Sequence, residues 1–129
     1  MNRVLIIEDD QKIALALSVR LKAAGFEVVS AMDAYQGVDF AKKHRPDIIV
    51  LDVSMPAGGG FSVAEKLRKL STTALTPFIV ITASRKPGVR EQAQQLGCAG
   101  FLEKPFEARA LIEMIHDALG AGTAGENSR

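Results

Sequence analysis

The 129-residue chain is poor in cysteine: Cys98 is the only one, so no internal disulfide can form and a reducing compartment is expected. It also lacks an excess of either charge. Sixteen Lys and Arg stand against 15 Asp and Glu, for a net charge of +1. Bulk charge therefore argues for neither a nucleic-acid nor a membrane-surface partner. No apolar run approaches the roughly 20 residues of a membrane span. The N-terminus carries Arg3, then a short apolar run, then Glu8, Asp9 and Asp10, which is not the pattern of a secretory leader. No internal repeat is found, and the length leaves no room for a second domain. A soluble, cytoplasmic, single-domain protein is expected.

Apolar residues make up 47% of the chain, enough for a core without metals or crosslinks. They fall into two alternating periods. Short runs rich in β-branched residues occur at Val4–Ile7, Val28-Val29, Ile48–Leu51, Phe78–Ile81 and Phe101-Leu102. The first, third and fourth are nearly continuous, as in parallel strands covered on both faces; the second and fifth look like edge strands. Between them lie stripes with helical spacing. Ile13, Ala16, Leu17 and Leu21 form one, ended by Gly25; Val38 and Ala41 mark a second, stopped before Pro46. Ala64, Leu67 and Leu70 mark a third; Val89, Ala93 and Leu96 a fourth, ended by Gly97; Leu111, Met114, Ile115, Ala118 and Leu119 the last. The alternation argues for an α/β fold with a parallel five-stranded sheet and helices on both faces. The expected arrangement is a flavodoxin-like (βα)5 three-layer sandwich, whose order 2-1-3-4-5 would set the first strand beside the third. The domain is expected over residues 1–119, with a flexible Gly- and Ala-rich tail over 120–129.

In that layout acids collect at the carboxyl ends of the first and third strands. Glu8, Asp9 and Asp10 follow Ile7, and Asp52 follows Leu51. Adjacent strands are about 4.8 Å apart, so these acids would share a pocket, repel one another and invite a cation. Asp10 alone has a simpler use as the N-cap of the following helix. Oxygen donors without a His or Cys pattern favour a hard ion such as Mg²⁺ over Zn²⁺. Thr82 ends the fourth strand and Lys104 follows the fifth, adding a hydroxyl and a fixed positive charge at the same edge. The pair suits an incoming phosphoryl group. Lys104–Pro105 is a candidate cis peptide.

These residues carry a family resemblance. Val4–Asp10, Pro46–Pro56 running on to Gly60, Ile79–Ala83 and Gly100–Phe106 occur in the order and spacing of a receiver domain of the two-component response regulators. The chain resembles that family over residues 2–119. The resemblance implies that Asp52 is the phosphoacceptor and that Glu8, Asp9, Asp52 and the backbone carbonyl of Ser54 hold Mg²⁺ (or Mn²⁺). Lys104 would pair with a phosphoryl oxygen. Thr82 would be the switch hydroxyl and Phe101 the switch aromatic, although an edge-strand core residue would look the same in sequence. The implied donor is a sensor histidine kinase or a histidine phosphotransfer protein. The implied output is a downstream protein, not yet identified, bound by the face of the fourth helix, fifth strand and fifth helix, with Arg90, Gln94, Phe101 and Glu103 on it. A signalling phosphoacceptor with limited self-catalysis is therefore expected, not an enzyme. It would contact neither nucleic acid nor membrane through this chain, and would be a monomer or a weak homodimer through the same face.

The chain departs from the family pattern at Gly59, often an acid, so that Ala57–Gly60 reads as an unusually flexible stretch. Ser54 and Ser84 stand where the family tunes phosphoryl-group lifetime, and both are small. Rival functions fare worse. A haloacid-dehalogenase-type phosphatase needs a second Asp where Ser54 stands, and a flavodoxin-like cofactor phosphate would be repelled by Glu8, Asp9 and Asp10. The glycine stretch is followed by no Gly-Lys-Ser/Thr, so it is not a phosphate-binding loop. The alternative that survives is a pseudo-receiver, a protein-interaction module of this fold that is not phosphorylated.

Overall fold

The strand–helix alternation read from the sequence is the architecture the chain adopts. A computed structural model describes residues 1–55 and 59–127. In chain order the elements are β1 (Arg3–Ile7), α1 (Gln11–Ala23), β2 (Glu27–Ala31), α2 (Ala34–His44), β3 (Ile48–Asp52), α3 (Gly59–Lys69), β4 (Phe78–Thr82), α4 (Val89–Gln95), β5 (Gly100–Glu103) and α5 (Ala108–Asn127). The strands form one five-stranded parallel sheet in the order β2-β1-β3-β4-β5.

Side chains along a strand alternate between faces, so this sheet builds two cores. Val4, Ile6, Ile48, Val50, Ile79 and Ile81 pack against Leu17 and Leu21 of α1 and Leu111 and Ile115 of α5. Leu5, Ile7, Ile49, Leu51 and Val80 pack against Ala41 of α2, Val63, Ala64 and Leu67 of α3, and Ala93 of α4. Each fully buried Val, Leu or Ile contributes roughly 1.5–3 kcal/mol. The central strands β3 and β4 are buried throughout, whereas β2 and β5, at the sheet edges, are partly open.

The helix ends follow local chemistry. Asp10 caps α1, its Oδ1 accepting from the backbone N–H of Lys12 at 2.9 Å and of Ile13 at 3.2 Å. Gly25 and Gly97 follow α1 and α4 with φ of 96° and 79°, the left-handed geometry that glycine adopts without strain. Arg45 caps α2 with a left-handed φ of 47°, immediately before Pro46.

Three details differ from the sequence reading. The buried face of α1 is Ala14, Leu17, Ser18 and Leu21, and Ala16 is exposed. Those four have the i, i+3, i+4, i+7 spacing, but polar Ser18 conceals it; its hydroxyl lies 3.3 Å from that of Ser30 on β2. Helix α5 runs on to Asn127, where a flexible tail was expected from residue 120. Extending an existing helix gains a hydrogen bond per residue without a new nucleation cost. The glycine stretch over 57–60 falls partly outside the described residues, but Gly59 and Gly60 open α3.

Gly60 has a steric reason to be glycine. A Cβ there would lie 2.2 Å from Val53 Cα and 2.7 Å from the Asp52 carbonyl oxygen, so α3 closes directly onto the turn that follows β3. Gly60→Ala is expected to lower unfolding free energy by about 1–3 kcal/mol in urea titrations. Gly120→Ala meets nothing within 4 Å and should be neutral or slightly stabilising. Equal midpoints for the two variants would refute this account of Gly60.

Candidate functional site

Parallel register decides which side chains meet at the carboxyl edge of the sheet. Ile7 pairs with Leu51, so the next residues, Glu8 and Asp52, emerge side by side. Asp52 in turn pairs with Ile81, and Thr82 with Glu103. The Glu8 backbone N–H donates to the Ala31 carbonyl at 3.0 Å, which fixes the end of β1 against β2.

Glu8 and Asp52 are both buried, with only 1% of either residue exposed, whereas Asp9 is exposed. One carboxylate oxygen from each of these three lies within 4.8 Å of the others. Lys104 reaches back from the turn after β5, and its Nζ donates to Glu8 Oε1 at 2.6 Å and to Asp52 Oδ2 at 2.9 Å. The Lys104–Pro105 bond is cis. Asp10, the helix cap, also donates its backbone N–H to Glu8 Oε2 at 3.1 Å.

Ser54 holds the other oxygen of Asp52. Its backbone N–H and hydroxyl both donate to Asp52 Oδ1, at 2.8 and 2.6 Å. The same hydroxyl accepts the Ala83 backbone N–H at 3.2 Å, tying the turn after β3 to the one after β4. Sequence reading singled out the carbonyl of Ser54 and the size of its side chain, and missed this hydroxyl bridge. An Asp-x-Ser turn is the signal that could have found it, since Ser hydroxyls fold back on nearby polar groups.

Thr82 is fully buried one residue beyond Ile81, and its Oγ1 accepts the Ser84 backbone N–H at 2.9 Å. Among the described residues no hydrogen bond joins Thr82 to Asp52. Phe101 packs partly buried against the core on the α2–α4 side, and the Arg90 guanidinium sits over its ring, 4.5 Å from the centroid. Glu103 bridges Arg85 and Arg90 at 3.4 and 4.0 Å.

Comparison with known sequences decides the family: the pattern of the response regulator receiver domain matches residues 4–116. The chain belongs to this receiver family. Receiver domains are signalling modules of two-component systems, not enzymes in the ordinary sense. RpaA, a DNA-binding dual master transcriptional regulator of a Synechocystis species, is 34% identical over 119 residues, which cover 92% of this chain and 49% of RpaA. DivK, a polar-differentiation response regulator of Brucella anthropi, is 30% identical over 117 residues, covering 91% of this chain and 95% of DivK. The solved chemotaxis protein CheY4 of Vibrio cholerae shares the fold at a TM-score of 0.85 with 31% identity, covering 92% of this chain and 98% of that one. The receiver spans about half the length of the transcriptional regulators it matches.

The receiver's two buried acids diverge in proton affinity. Burial pushes Glu8 up to about 7, against the lowering pull of the Lys104 ammonium, and the neighbouring Asp52 carboxylate adds to the rise. Burial also opposes ionisation of Asp52, but hydrogen bonds from Ser54, Glu8 and Lys104 outweigh it and hold Asp52 below the ordinary carboxylate range. For Lys104, burial would disfavour the charge, and its bonds to Glu8 and Asp52 reverse that and raise it. The two neighbours are pushed in opposite directions, Glu8 toward its protonated form and Asp52 toward its carboxylate.

The sign of the pH effect follows. Glu8 rises from 4.5 in the unfolded chain to about 7, so its proton stabilises the fold fully below pH 4.5, and that stabilisation is lost as pH rises through 7. Asp52 moves the other way, and its contribution is lost only as pH falls below 3.8. In chelator-treated protein, unfolding free energy is expected to fall between pH 5 and 8 by on the order of 2 kcal/mol more in wild type than in Glu8→Gln. Parallel pH profiles for the two proteins would refute the raised proton affinity assigned to Glu8.

Proposed function

We propose that this receiver takes a phosphoryl group from a phosphohistidine donor onto Asp52, and that the load reshapes the surface of α4, β5 and α5 for a partner. The observation that carries the reading is the geometry at Asp52: a buried carboxylate with Lys104 Nζ 2.9 Å away and the oxygens of Glu8 and Asp9 within 4.8 Å.

Glu8, Asp9, Asp52 and the backbone carbonyl of Ser54 are the residues proposed to hold Mg²⁺, or Mn²⁺. An all-oxygen donor set with two carboxylates beside an exposed third fits a hard, partly hydrated cation. Bound there, the ion supplies positive charge that offsets repulsion between a carboxylate nucleophile and an anionic phosphoryl group.

The chain's own residues do the rest. Ser54 pins Asp52 Oδ1 through two hydrogen bonds, which fixes the rotation of the carboxylate. Asp52 attacks phosphorus in line; an O–P bond forms as the P–N bond breaks, and its electron pair returns to the donor imidazole. Lys104 turns its ammonium to a phosphoryl oxygen. The Thr82 hydroxyl follows the new charge, and its bond from Ser84 N–H is given up, so the segment between β4 and α4 moves with it. Phe101, beside it on the same face, then leaves its position under Arg90.

A docking place for the donor lies beside Lys104. A groove of about 330 Å³ is lined by Ile13, Ala16, Leu17, Pro105 and Phe106, with Ala16 of α1 exposed on it. It suits an apolar helical surface on a sensor histidine kinase or a histidine phosphotransfer protein. The output partner is proposed to be a protein, with no nucleic-acid or membrane contact assigned to this chain. No helix among the described residues is long and apolar enough to cross a membrane, and the reaction is assigned to the cytoplasm. The switching unit is taken as residues 1–119, as a monomer or a weak homodimer through the α4–β5–α5 face.

Intact mass after incubation with acetyl phosphate tests the proposal. One added phosphoryl group is expected in wild type with Mg²⁺, and none with chelator or in Asp52→Asn. Where hydrolysis outruns detection, beryllofluoride should still shift the NMR signals of Thr82 and Phe101. Silence with both reagents would leave a pseudo-receiver and end the phosphoacceptor reading. Ala16→Glu, at an exposed position of α1 that lines the groove, is expected to slow transfer from a phosphohistidine protein at least tenfold while leaving acetyl phosphate labelling unchanged. Equal slowing with both donors would refute the α1 docking place.

A further inference from the structure

Away from the acidic edge, α2 and α3 enclose a second groove that the phosphoacceptor reading does not use. It measures about 390 Å³ and is lined by Ala34, Tyr35, Val38, Asp39, Lys42 and Lys66. Tyr35 is the only tyrosine of the chain and is 82% exposed. Lys42 lies two turns further along α2, roughly 10 Å on. The floor is apolar, with Ala34 and Val38 partly buried.

The charges of this groove are unbalanced in a specific way. Its carboxylate, Asp39, is already paired with Lys43 at 3.1 Å. Lys42 and Lys66 are exposed and have no ion pair or hydrogen bond among the described residues. The groove therefore presents two free ammonium groups and no free carboxylate. Lysines near helix C-termini also complement the helix dipole, which accounts for positive charge there. That effect does not account for their convergence on one groove from two helices, with an unpartnered aromatic at its mouth.

We propose that the α2–α3 groove docks an acidic segment of a partner protein, with an apolar side chain against Tyr35 and Val38 and carboxylates on Lys42 and Lys66. Exposed aromatics beside a concave apolar floor are typical anchors of protein interfaces, and the two lysines select the sign of the partner. A flat anionic membrane fits less well, because the apolar residues line a recess between two helices. The proposal does not depend on phosphorylation of Asp52.

The test is selection of displayed random dodecapeptides on the immobilised full chain, with wild type and Lys42→Glu/Lys66→Glu compared. Wild type is expected to enrich peptides rich in Asp and Glu with one aromatic or branched aliphatic residue, and the double variant to lose them. A synthetic peptide from the enriched set should shift the NMR signals of Tyr35, Val38, Lys42 and Lys66. Its binding should weaken at least tenfold in the charge-reversed variant and in high salt, and several-fold in Tyr35→Ala. Both variants alter exposed side chains, and unchanged acetyl phosphate labelling with unchanged melting would verify the fold. Peptides without an acidic bias, the same peptides recovered by the charge-reversed variant, or shifts mapping elsewhere would overturn the proposal. Binding to phosphatidylglycerol vesicles in the absence of any peptide selection would overturn it as well.

Discussion

The organisation of the site depends on one contact, the Lys104 ammonium lodged between two buried carboxylates. Bringing Glu8 and Asp52 out of water is costly, and two negative charges side by side make it more so. Lys104 offsets this, at 2.6 Å from Glu8 and 2.9 Å from Asp52, and the raised proton affinity of Glu8 eases what repulsion is left. The sheet makes this arrangement unavoidable, because the register that buries Ile7 beside Leu51 delivers the acids together one residue later. Aliphatic packing on both faces holds that register, so the electrostatic strain is supported by the whole core. On the proposed function, a divalent cation or a phosphoryl group entering the pocket would change which charge neutralises which.

Much of this was legible in the sequence. Continuous apolar runs marked the central strands, because parallel strands are buried on both faces. The alternation marked a parallel sheet, and the strand order expected for it, β2-β1-β3-β4-β5, is the one that brings Glu8, Asp9, Asp52 and Lys104 together. Asp10 was legible as a cap because the rule is local. What escaped depends on orientations that periodicity does not encode. The Ser54 hydroxyl reaches Asp52 and Ala83 because of how the chain turns after β3, and nothing in the pattern of apolar residues specifies that turn. Ser18 was hidden because a hydroxyl paired across to Ser30 can occupy a core face that composition assigns to apolar residues. The extent of α5 escaped because the composition of residues 120–129 reads as a flexible tail, whereas extension of a long helix tolerates weak formers.

The placement of Thr82 and Phe101 is a matter of parity along the strands. Val50 and Ile81 face the α1–α5 core, so Asp52, two residues after Val50, continues on that side. Thr82, one residue after Ile81, is turned to the opposite side, where Val80 and its register partner Phe101 pack toward α4. Thr82 and its register partner Glu103 are the strand-end polar groups that share a face with Phe101, and of the two Thr82 is the fully buried one. On the proposed function, a charge arriving at Asp52 has a packed route to the α4 layer only by way of that hydroxyl and the segment it holds through Ser84. On the same proposal, the Arg90–Phe101 and Arg90–Glu103 contacts would hold the unloaded surface, because both must loosen before Phe101 can leave its position. Closely packed side chains tend to switch between discrete arrangements instead of deforming continuously, and on the proposed function this is how a local charge change at Asp52 would become a change of surface at Phe101.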